Sequence, residues 1–196
     1  MPNKIILDTE TISLQKPFVY DIGFIIVNEN FQTLESRHFV IQQVYDNKEL
    51  FATAYYSVKK PRYTKLLRLK RAEKIHYGKA LQKIKHLMKK YEVNEIYAYN
   101  SPFDKRALEF TTNFYKVQNV FENKEFIDIK KLAKDLHNQI DYLLFTETHN
   151  KRTPTGRPSK TAQTTYQFII NDPNFIEDHM GLQDCEIELE ILRKVA

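Results

Sequence analysis

A short apolar run that ends in two acidic residues constrains the fold of this chain more than any other feature. Residues 4–11 have the sequence Lys-Ile-Ile-Leu-Asp-Thr-Glu-Thr. Three consecutive apolar residues, two of them β-branched, are typical of a strand that is buried on both faces. Asp8 and Glu10 stand at i and i+2, so on a strand their carboxylates point to the same face, about 7 Å apart along the chain.

Two carboxylates held this close repel each other. A hard divalent cation such as Mg²⁺ or Mn²⁺ would relieve the repulsion, because such ions prefer oxygen ligands. The alternative interpretation of Asp8 and Glu10 is a strand that runs into an acidic turn.

The remaining elements indicate an α/β fold with a mixed sheet. β-branched and aromatic residues predict strands at 18–27 and 35–44, which form an antiparallel set with the first strand. Shorter strands are predicted at 95–99 and 126–129. Helices are predicted at 66–91 (with a break near Gly78), 103–113, 130–137, 161–170 and 181–195. This order predicts a five-stranded mixed sheet flanked by helices, in one domain of residues 1–196.

Basic residues are concentrated in one segment of the chain. The protein has 30 Lys and Arg residues and 25 Asp and Glu residues, with a net charge of +5. Residues 59–90 contain 13 of the basic residues and a single acid, Glu73. This segment therefore favours a polyanionic partner, of which nucleic acid is the commonest. A solvated, lysine-rich helix face is the alternative.

Residues 45–65 show no clear period but contain an aromatic cluster. Its members are Phe51, Tyr55, Tyr56 and Tyr63. The cluster is either local core or a surface on which bases stack.

Cysteine usage and hydropathy predict the compartment. Cys185 is the single cysteine and cannot form an intrachain disulfide, which favours a reducing, cytoplasmic (intracellular) setting. No apolar run approaches the roughly 20 residues of a membrane span, so no membrane partner is expected. The first predicted strand also begins too early to leave room for a signal peptide.

Two further acidic residues fall where strand ends would meet. Asp104 lies in the first turn of the helix after the fourth strand, and Asp184 lies near the start of the last helix. Ligands of open α/β sheets bind beyond the strand ends. His179 and Asp184 would lie about 140° apart on a continuous helix. A helix that starts near Gly181 instead leaves His179 on a loop that can turn towards the same site, although a structural hydrogen bond is the alternative.

Taken in order, these motifs resemble those of the DEDDh branch of the DEDD 3′–5′ exonucleases, which includes proofreading subunits and ribonuclease T. The three matching stretches are Asp8-Thr9-Glu10 for D-x-E, Asn100-Ser101-Pro102-Phe103-Asp104 for N-x-x-F-D, and His179 to Asp184 for H-x4-D. Each motif is weak by itself, but the ordered set spans nearly the whole chain. The sibling branch carries a tyrosine at the position of His179.

The resemblance implies a ribonuclease-H-like fold and two bound divalent metal ions, Mg²⁺ or Mn²⁺. It implies that Asp8 bridges both ions, that Glu10 and Asp184 complete one site, and that Asp104 serves the other. Two ions about 3.5–4 Å apart stabilise both the incoming and the leaving oxygens of a phosphodiester. His179 would be the general base, for which an ordinary pKa of about 6.5 is suitable.

The resemblance also implies a substrate, the 3′ end of single-stranded DNA. Thr11 would contact the terminal sugar, and Asn100 and Phe103 would contribute to the substrate pocket; packing is the alternative for Thr11 and Phe103. Many relatives carry a glycine shortly after D-x-E, whereas Thr11-Ile12-Ser13 follows here. This departure leaves the substrate preference open.

Other functions are compatible with the same motifs. An exonuclease that acts on RNA or short oligonucleotides would share them, because discrimination between DNA and RNA depends on contacts at the 2′ position. A binding module could keep the fold without cutting, although it would have no need for all five catalytic positions. Proofreading would require a polymerase partner, which these 196 residues do not supply.

Overall fold

A mixed β-sheet forms the centre of the molecule. The computed structural model describes residues 3–196. The strands in this range are β1 (Lys4–Thr11), β2 (Val19–Val27), β3 (Thr33–Ile41), β4 (Glu73–Ile75), β5 (Glu95–Ala98) and β6 (Glu125–Asp128). They lie in the order β4-β3-β2-β1-β5-β6.

The directions of the strands bring the carboxyl ends of three of them together at one edge of the sheet. β1 pairs antiparallel with β2, and β2 pairs antiparallel with β3. The pairs β1–β5, β5–β6 and β3–β4 are parallel. The carboxyl ends of β1, β5 and β6 therefore lie side by side, as the predicted mixed sheet requires.

Helices cover both faces of this sheet. Within the described range they are α1 (Gln42–Tyr45), α2 (Lys48–Ala52), α3 (Lys60–Arg68), α4 (Tyr77–Lys90), α5 (Ser101–Tyr115), α6 (Ile129–Leu132), α7 (Lys134–His137), α8 (Ile140–Thr148), α9 (Ala162–Ile169) and α10 (Gly181–Val195). None of the helices between residues 3 and 196 has the length and apolar character needed to cross a bilayer.

The alternation of β1 divides the core between the two faces. Ile5 and Leu7 pack with α4 and α5 on one face, whereas Ile6 packs with α10 on the other. All three side chains are fully buried. β1 is thus covered on both sides, and its polar residues can reach open space only at its carboxyl end.

The prediction of one helix over residues 66–91 is wrong, and the sheet has six strands instead of five. α3 ends because Lys70 adopts a left-handed conformation (φ 56°) and the Arg71 N–H donates to the Leu66 carbonyl, as in a Schellman motif. β4 then pairs with the edge of β3. The sequence did not predict the end of α3, because the left-handed position is occupied by Lys70 and not by glycine, the usual signal for a helix end. It did not predict β4, because three residues are too few to show a strand period. Gly78 lies within α4 and marks no break.

Some further helices also escape prediction. The predicted strand at 35–44 is too long at its end, because β3 stops at Ile41 and α1 begins at Gln42. α2 lies in the part of the chain that shows no period, and α8 covers residues for which no element was predicted. The predicted helix at 130–137 is divided into α6 and α7. Elements this short are stabilised by tertiary packing more than by their own amphipathic pattern.

The start of α10 is set by a close contact between two glycines. A Cβ atom added to Gly23 of β2 would lie 2.0 Å from the carbonyl carbon of Gly181 and 2.1 Å from the amide nitrogen of Leu182. Only glycine at this position of β2 allows the two backbones to approach so closely.

A buried polar network also fixes the start of α10. Asp21 Oδ2 accepts hydrogen bonds from the Gly181 N–H (3.0 Å) and the Tyr63 hydroxyl (2.7 Å). Asp21 Oδ1 lies 2.7 Å from Nε2 of His38. Burial acts to lower the pKa of His38, but the Asp21 carboxylate outweighs burial and raises it. The network fixes where α10 begins, and hence where its first-turn residues point.

Gly23→Ala should lower the free energy of unfolding by about 3 kcal/mol, the upper end of the usual overpacking range, because the new methyl group would overlap backbone atoms. Chemical denaturation would measure this. Gly78→Ala is the matched control, since its Cβ would meet only side-chain atoms of Val117, the nearest at 3.2 Å. Equal stability of the two variants would contradict the role assigned to the glycine contact.

Candidate active site

One cavity of about 760 Å³ brings the predicted acidic residues together. Asp8 and Glu10 enter it from the end of β1. Asp104 enters from the first turn of α5, and Asp184 from the first turn of α10. His179, on the loop before α10, lines the same cavity. The structure therefore places all five residues proposed from sequence at one edge of the sheet.

The carboxylates are crowded and mostly buried. Glu10, Asp104 and Asp184 are 9%, 2% and 4% exposed. Burial, followed by repulsion from neighbouring carboxylates, raises the pKa of Asp8 and of Glu10 well above their usual range. Burial also raises the pKa of Asp184 to about 8, with a further contribution from Glu177. These groups resist ionisation until positive charge is supplied.

Asp104 is held in place by the first strand. Its Oδ1 accepts hydrogen bonds from the Thr9 backbone N–H (3.0 Å) and the Thr9 hydroxyl (2.8 Å). Burial nevertheless raises the pKa of Asp104 to about 7. Asp128 supports the neighbouring turn, since its Oδ1 accepts from the backbone N–H groups of Asn100 and Lys130. These contacts give Asp128 a structural role in this turn.

His179 sits on a constrained loop. Its backbone is left-handed (φ 48°), and its ring stacks on Tyr56 with centroids 4.5 Å apart. The ammonium group of Lys59 lies over the Tyr56 ring, 4.1 Å from the ring centroid, and donates a hydrogen bond to the backbone carbonyl of Asp178. Nδ1 of His179 lies 3.8 Å from a Glu177 carboxylate oxygen. Burial, and then Lys59, lowers the pKa of His179.

The aromatic cluster of residues 51–63 divides between core and site. Phe51 and Tyr63 are fully buried, so for these two residues the interpretation as local core is confirmed. Tyr55 and Tyr56 instead line the cavity, and Tyr55 is 81% exposed. The sequence contained no signal that separates the two pairs.

The three predicted substrate residues also line the cavity. Thr11 follows an irregularity in the β1–β2 pairing, and its hydroxyl donates to the Ser13 carbonyl at 3.3 Å. Asn100 is exposed with a left-handed backbone, and Phe103 is half-buried beneath the Arg106 guanidinium. Their contact with a substrate remains a prediction.

The basic segment lies outside this cavity. No residue of 59–90 lines it, and the lysine that does is Lys130. Part of the segment's charge is used within the protein: Lys83 pairs with Glu73 at 2.6 Å and Lys74 pairs with Asp46 at 2.8 Å. A role for the segment in binding a polyanion remains a prediction.

Sequence reasoning missed two carboxylates of the cavity, Glu177 and Glu188. Burial raises the pKa of Glu177 to about 7. Glu188 is 2% exposed and lies one helical turn after Asp184. The i, i+4 spacing was a usable signal for Glu188, since it places both side chains on the same helix face. No such signal exists for Glu177.

The residues present fit a divalent cation. Asp8 Oδ2, Asp184 Oδ1 and Glu188 Oε2 are buried and lack hydrogen-bond partners. Buried carboxylate oxygens are rarely left unsatisfied, and a cation would compensate them. In addition, Glu10, His179 and Asp184 offer ligand atoms that all lie within 4.8 Å of one another. The oxygen-rich donor set suits Mg²⁺ or Mn²⁺.

Comparisons with known proteins identify the fold. No protein-family model matches the sequence, and no curated protein sequence matches it significantly. Solved structures of E. coli exonuclease I do match. Its complex with a dA16 oligonucleotide is 12% identical with a TM-score of 0.60, covering 97% of this chain and 40% of that one. The complex with a 5cy-dA13 oligonucleotide is 14% identical, with a TM-score of 0.63 and coverage of 99% and 40%.

The zinc-ion-bound form of the E. coli exonuclease I–ssDNA complex is 13% identical, with a TM-score of 0.62 and coverage of 98% and 40%. The chain thus spans about 40% of the length of these exonuclease I chains. At this level of identity the likeness shows the fold, which is ribonuclease-H-like and confirms the predicted fold class.

Proposed function

We propose that this protein is a metal-dependent 3′–5′ exonuclease of the DEDDh type, which hydrolyses the phosphodiester bonds of single-stranded DNA. One observation carries the proposal: Asp8, Glu10, Asp104 and Asp184 converge with His179 in one cavity. The fold shared with exonuclease I structures that contain oligonucleotides supports it.

The four carboxylates would hold two divalent ions, Mg²⁺ or Mn²⁺. Their oxygens are buried together and repel one another, as the raised pKa values of Asp8 and Glu10 indicate. When bound, such ions activate the nucleophile and neutralise the charge that develops on the phosphoryl oxygens. Thr9 orients Asp104 through two hydrogen bonds, and the Asp21 network orients the first turn of α10.

His179 would accept the proton of the attacking water. Its lowered pKa keeps the imidazole neutral near pH 7, the state that a general base requires. Nδ1 faces Glu177, which leaves Nε2 as the accepting nitrogen. Stacking on Tyr56 holds the plane of the ring, and Lys59 holds the loop through the Asp178 carbonyl.

The cavity walls support a single-stranded 3′ end as substrate. Tyr55, Tyr56 and Phe103 present aromatic rings against which unpaired bases can stack. Thr11 at the end of β1 and Asn100 at the start of α5 add polar groups, and Lys130 adds a positive charge.

The test is incubation of the purified protein with single-stranded DNA, duplex DNA and RNA, each labelled at the 5′ or the 3′ end, in Mg²⁺, Mn²⁺ or EDTA. The proposal predicts a descending ladder from 5′-labelled single-stranded DNA, immediate release of labelled mononucleotide from the 3′-labelled strand, and no products in EDTA. Binding without cleavage in both metals would contradict it and favour a binding module. Faster degradation of RNA would assign the activity to the alternative substrate.

A further inference from the structure

Glu188 is a buried carboxylate of the cavity that the mechanism above does not use. It lies on α10, one turn after Asp184, and is 2% exposed. Its side chain lines the cavity, and Oε2 is buried without a hydrogen-bond partner. A carboxylate in this state is unfavourable unless something in the cavity compensates it.

Glu188 shares the cavity with the four carboxylates already named. It lies one turn after Asp184 on α10, so both side chains project from the same face of the helix. Burial raises the pKa of Glu188, and the charges of Asp104 and Asp184 raise it further. Glu188 therefore belongs to the acidic group that would hold the cations.

Asp104 by itself is poorly equipped to hold a cation. Its Oδ1 already accepts two hydrogen bonds from Thr9, so one carboxylate oxygen remains for a ligand. Mg²⁺ and Mn²⁺ favour several oxygen ligands. A fifth carboxylate in the same cavity would supply a further oxygen ligand.

We propose that Glu188 is a further ligand of the divalent cations that the cavity carboxylates hold, so that five carboxylates bind the two ions instead of four. The inference rests on the proposed function, because it assumes that Asp8 takes part in a metal site. A fifth carboxylate gives the site one more negative charge than the two ions balance, and it should tighten the binding of the ion that it contacts.

Glu188→Gln tests this with Mn²⁺ alone, without nucleic acid, by isothermal titration calorimetry. Gln keeps the size of the side chain and removes its charge. The wild type should bind two ions, and the variant should bind one of them about 10–100-fold more weakly, the usual scale for losing a group that supports a metal. Glu190→Gln is the matched control, because Glu190 is exposed on the same helix and pairs with Arg193. Its Mn²⁺ binding should not change.

Asp8→Asn separates failure of this inference from failure of the proposed function. If Asp8→Asn binds Mn²⁺ as the wild type does, the metal site itself is wrong and both proposals fall. If Asp8→Asn loses binding while Glu188→Gln keeps wild-type affinity, Glu188 is a structural residue. The exonuclease proposal then stands without it.

Thermal unfolding gives a second readout that a structural role would not produce. In EDTA, Glu188→Gln should melt at or above the wild-type midpoint, because it removes a buried carboxyl group that is unfavourable without a cation. The rise in midpoint caused by Mn²⁺ should be smaller than in the wild type. A lower midpoint in EDTA with an unchanged Mn²⁺-induced rise would overturn the proposal. If Glu188→Gln does not fold, Glu188→Asp withdraws the carboxylate while keeping its charge, and unchanged Mn²⁺ affinity in that variant would also overturn it.

Discussion

Asp8→Asn is expected to abolish metal-dependent degradation of single-stranded DNA, with a loss of about 10³-fold or more in kcat. Asp8 enters the cavity from the end of β1, and its Oδ2 is buried without a hydrogen-bond partner. Burial, followed by the charges of Asp104 and Asp184, raises its pKa well above the usual range. Two-metal catalysis is worth several kcal/mol of transition-state stabilisation, and each 1.36 kcal/mol corresponds to about tenfold in rate. Single-turnover cleavage of a 5′-labelled oligonucleotide in Mn²⁺ would measure the loss.

Two controls show that the loss comes from the site and not from unfolding. Asp46→Asn removes an exposed carboxylate that pairs with Lys74, and it should leave the cleavage rate unchanged. Asp8→Asn itself should be at least as stable as the wild type in EDTA, since it removes a carboxylate that burial and its neighbours destabilise. Wild-type cleavage by Asp8→Asn would reject the proposed function.

The same charges predict how metal-free stability depends on pH. The pKa values of about 7 for Asp104 and about 8 for Asp184 lie above those of an unfolded chain. The folded state therefore binds more protons than the unfolded state between about pH 4 and pH 8, and stability in EDTA falls as the pH rises through this window. Asp8→Asn should lessen this fall.

His179→Ala should slow cleavage by about 10²–10⁴-fold, the usual loss on removal of a general base. The wild-type rate should rise with pH through the pKa of His179 and then level off. That pKa lies below the ordinary value because burial and Lys59 both disfavour the charged ring. The variant should lack this acidic limb, so pH–rate profiles at saturating Mn²⁺ would measure both effects.

Saturating Mn²⁺ matters because His179 lies close to Glu10 and Asp184. If the rate of His179→Ala recovers fully as Mn²⁺ is raised, the residue is a metal ligand and not a base. His86→Ala is the control, since His86 is exposed on α4 outside the cavity, and its pH profile should match the wild type.

The hydrophobic pattern of the sequence predicted the strands and helices in which that pattern has a clear period. β1 was predictable because three consecutive apolar residues favour a strand buried on both faces. On such a strand, carboxylates at i and i+2 point to the same face. The start of α10 at Gly181 was likewise anticipated, and it placed His179 on a loop. β4 was not predictable, since its three residues pair only because the edge of β3 is available.

The sequence by itself determined the order of the acidic motifs, the alternation that buries β1 from both sides, and the apolar faces that cover the sheet. These follow from the periods of strand and helix, which act over a few residues. Only the tertiary structure decided that Glu177 and Glu188 join the cavity, that Tyr56 stacks on His179, and that residues 59–90 contribute nothing to the cavity wall. Each of these depends on how distant elements pack, and the glycine contact between β2 and α10 is set by backbone approach across 158 positions of sequence.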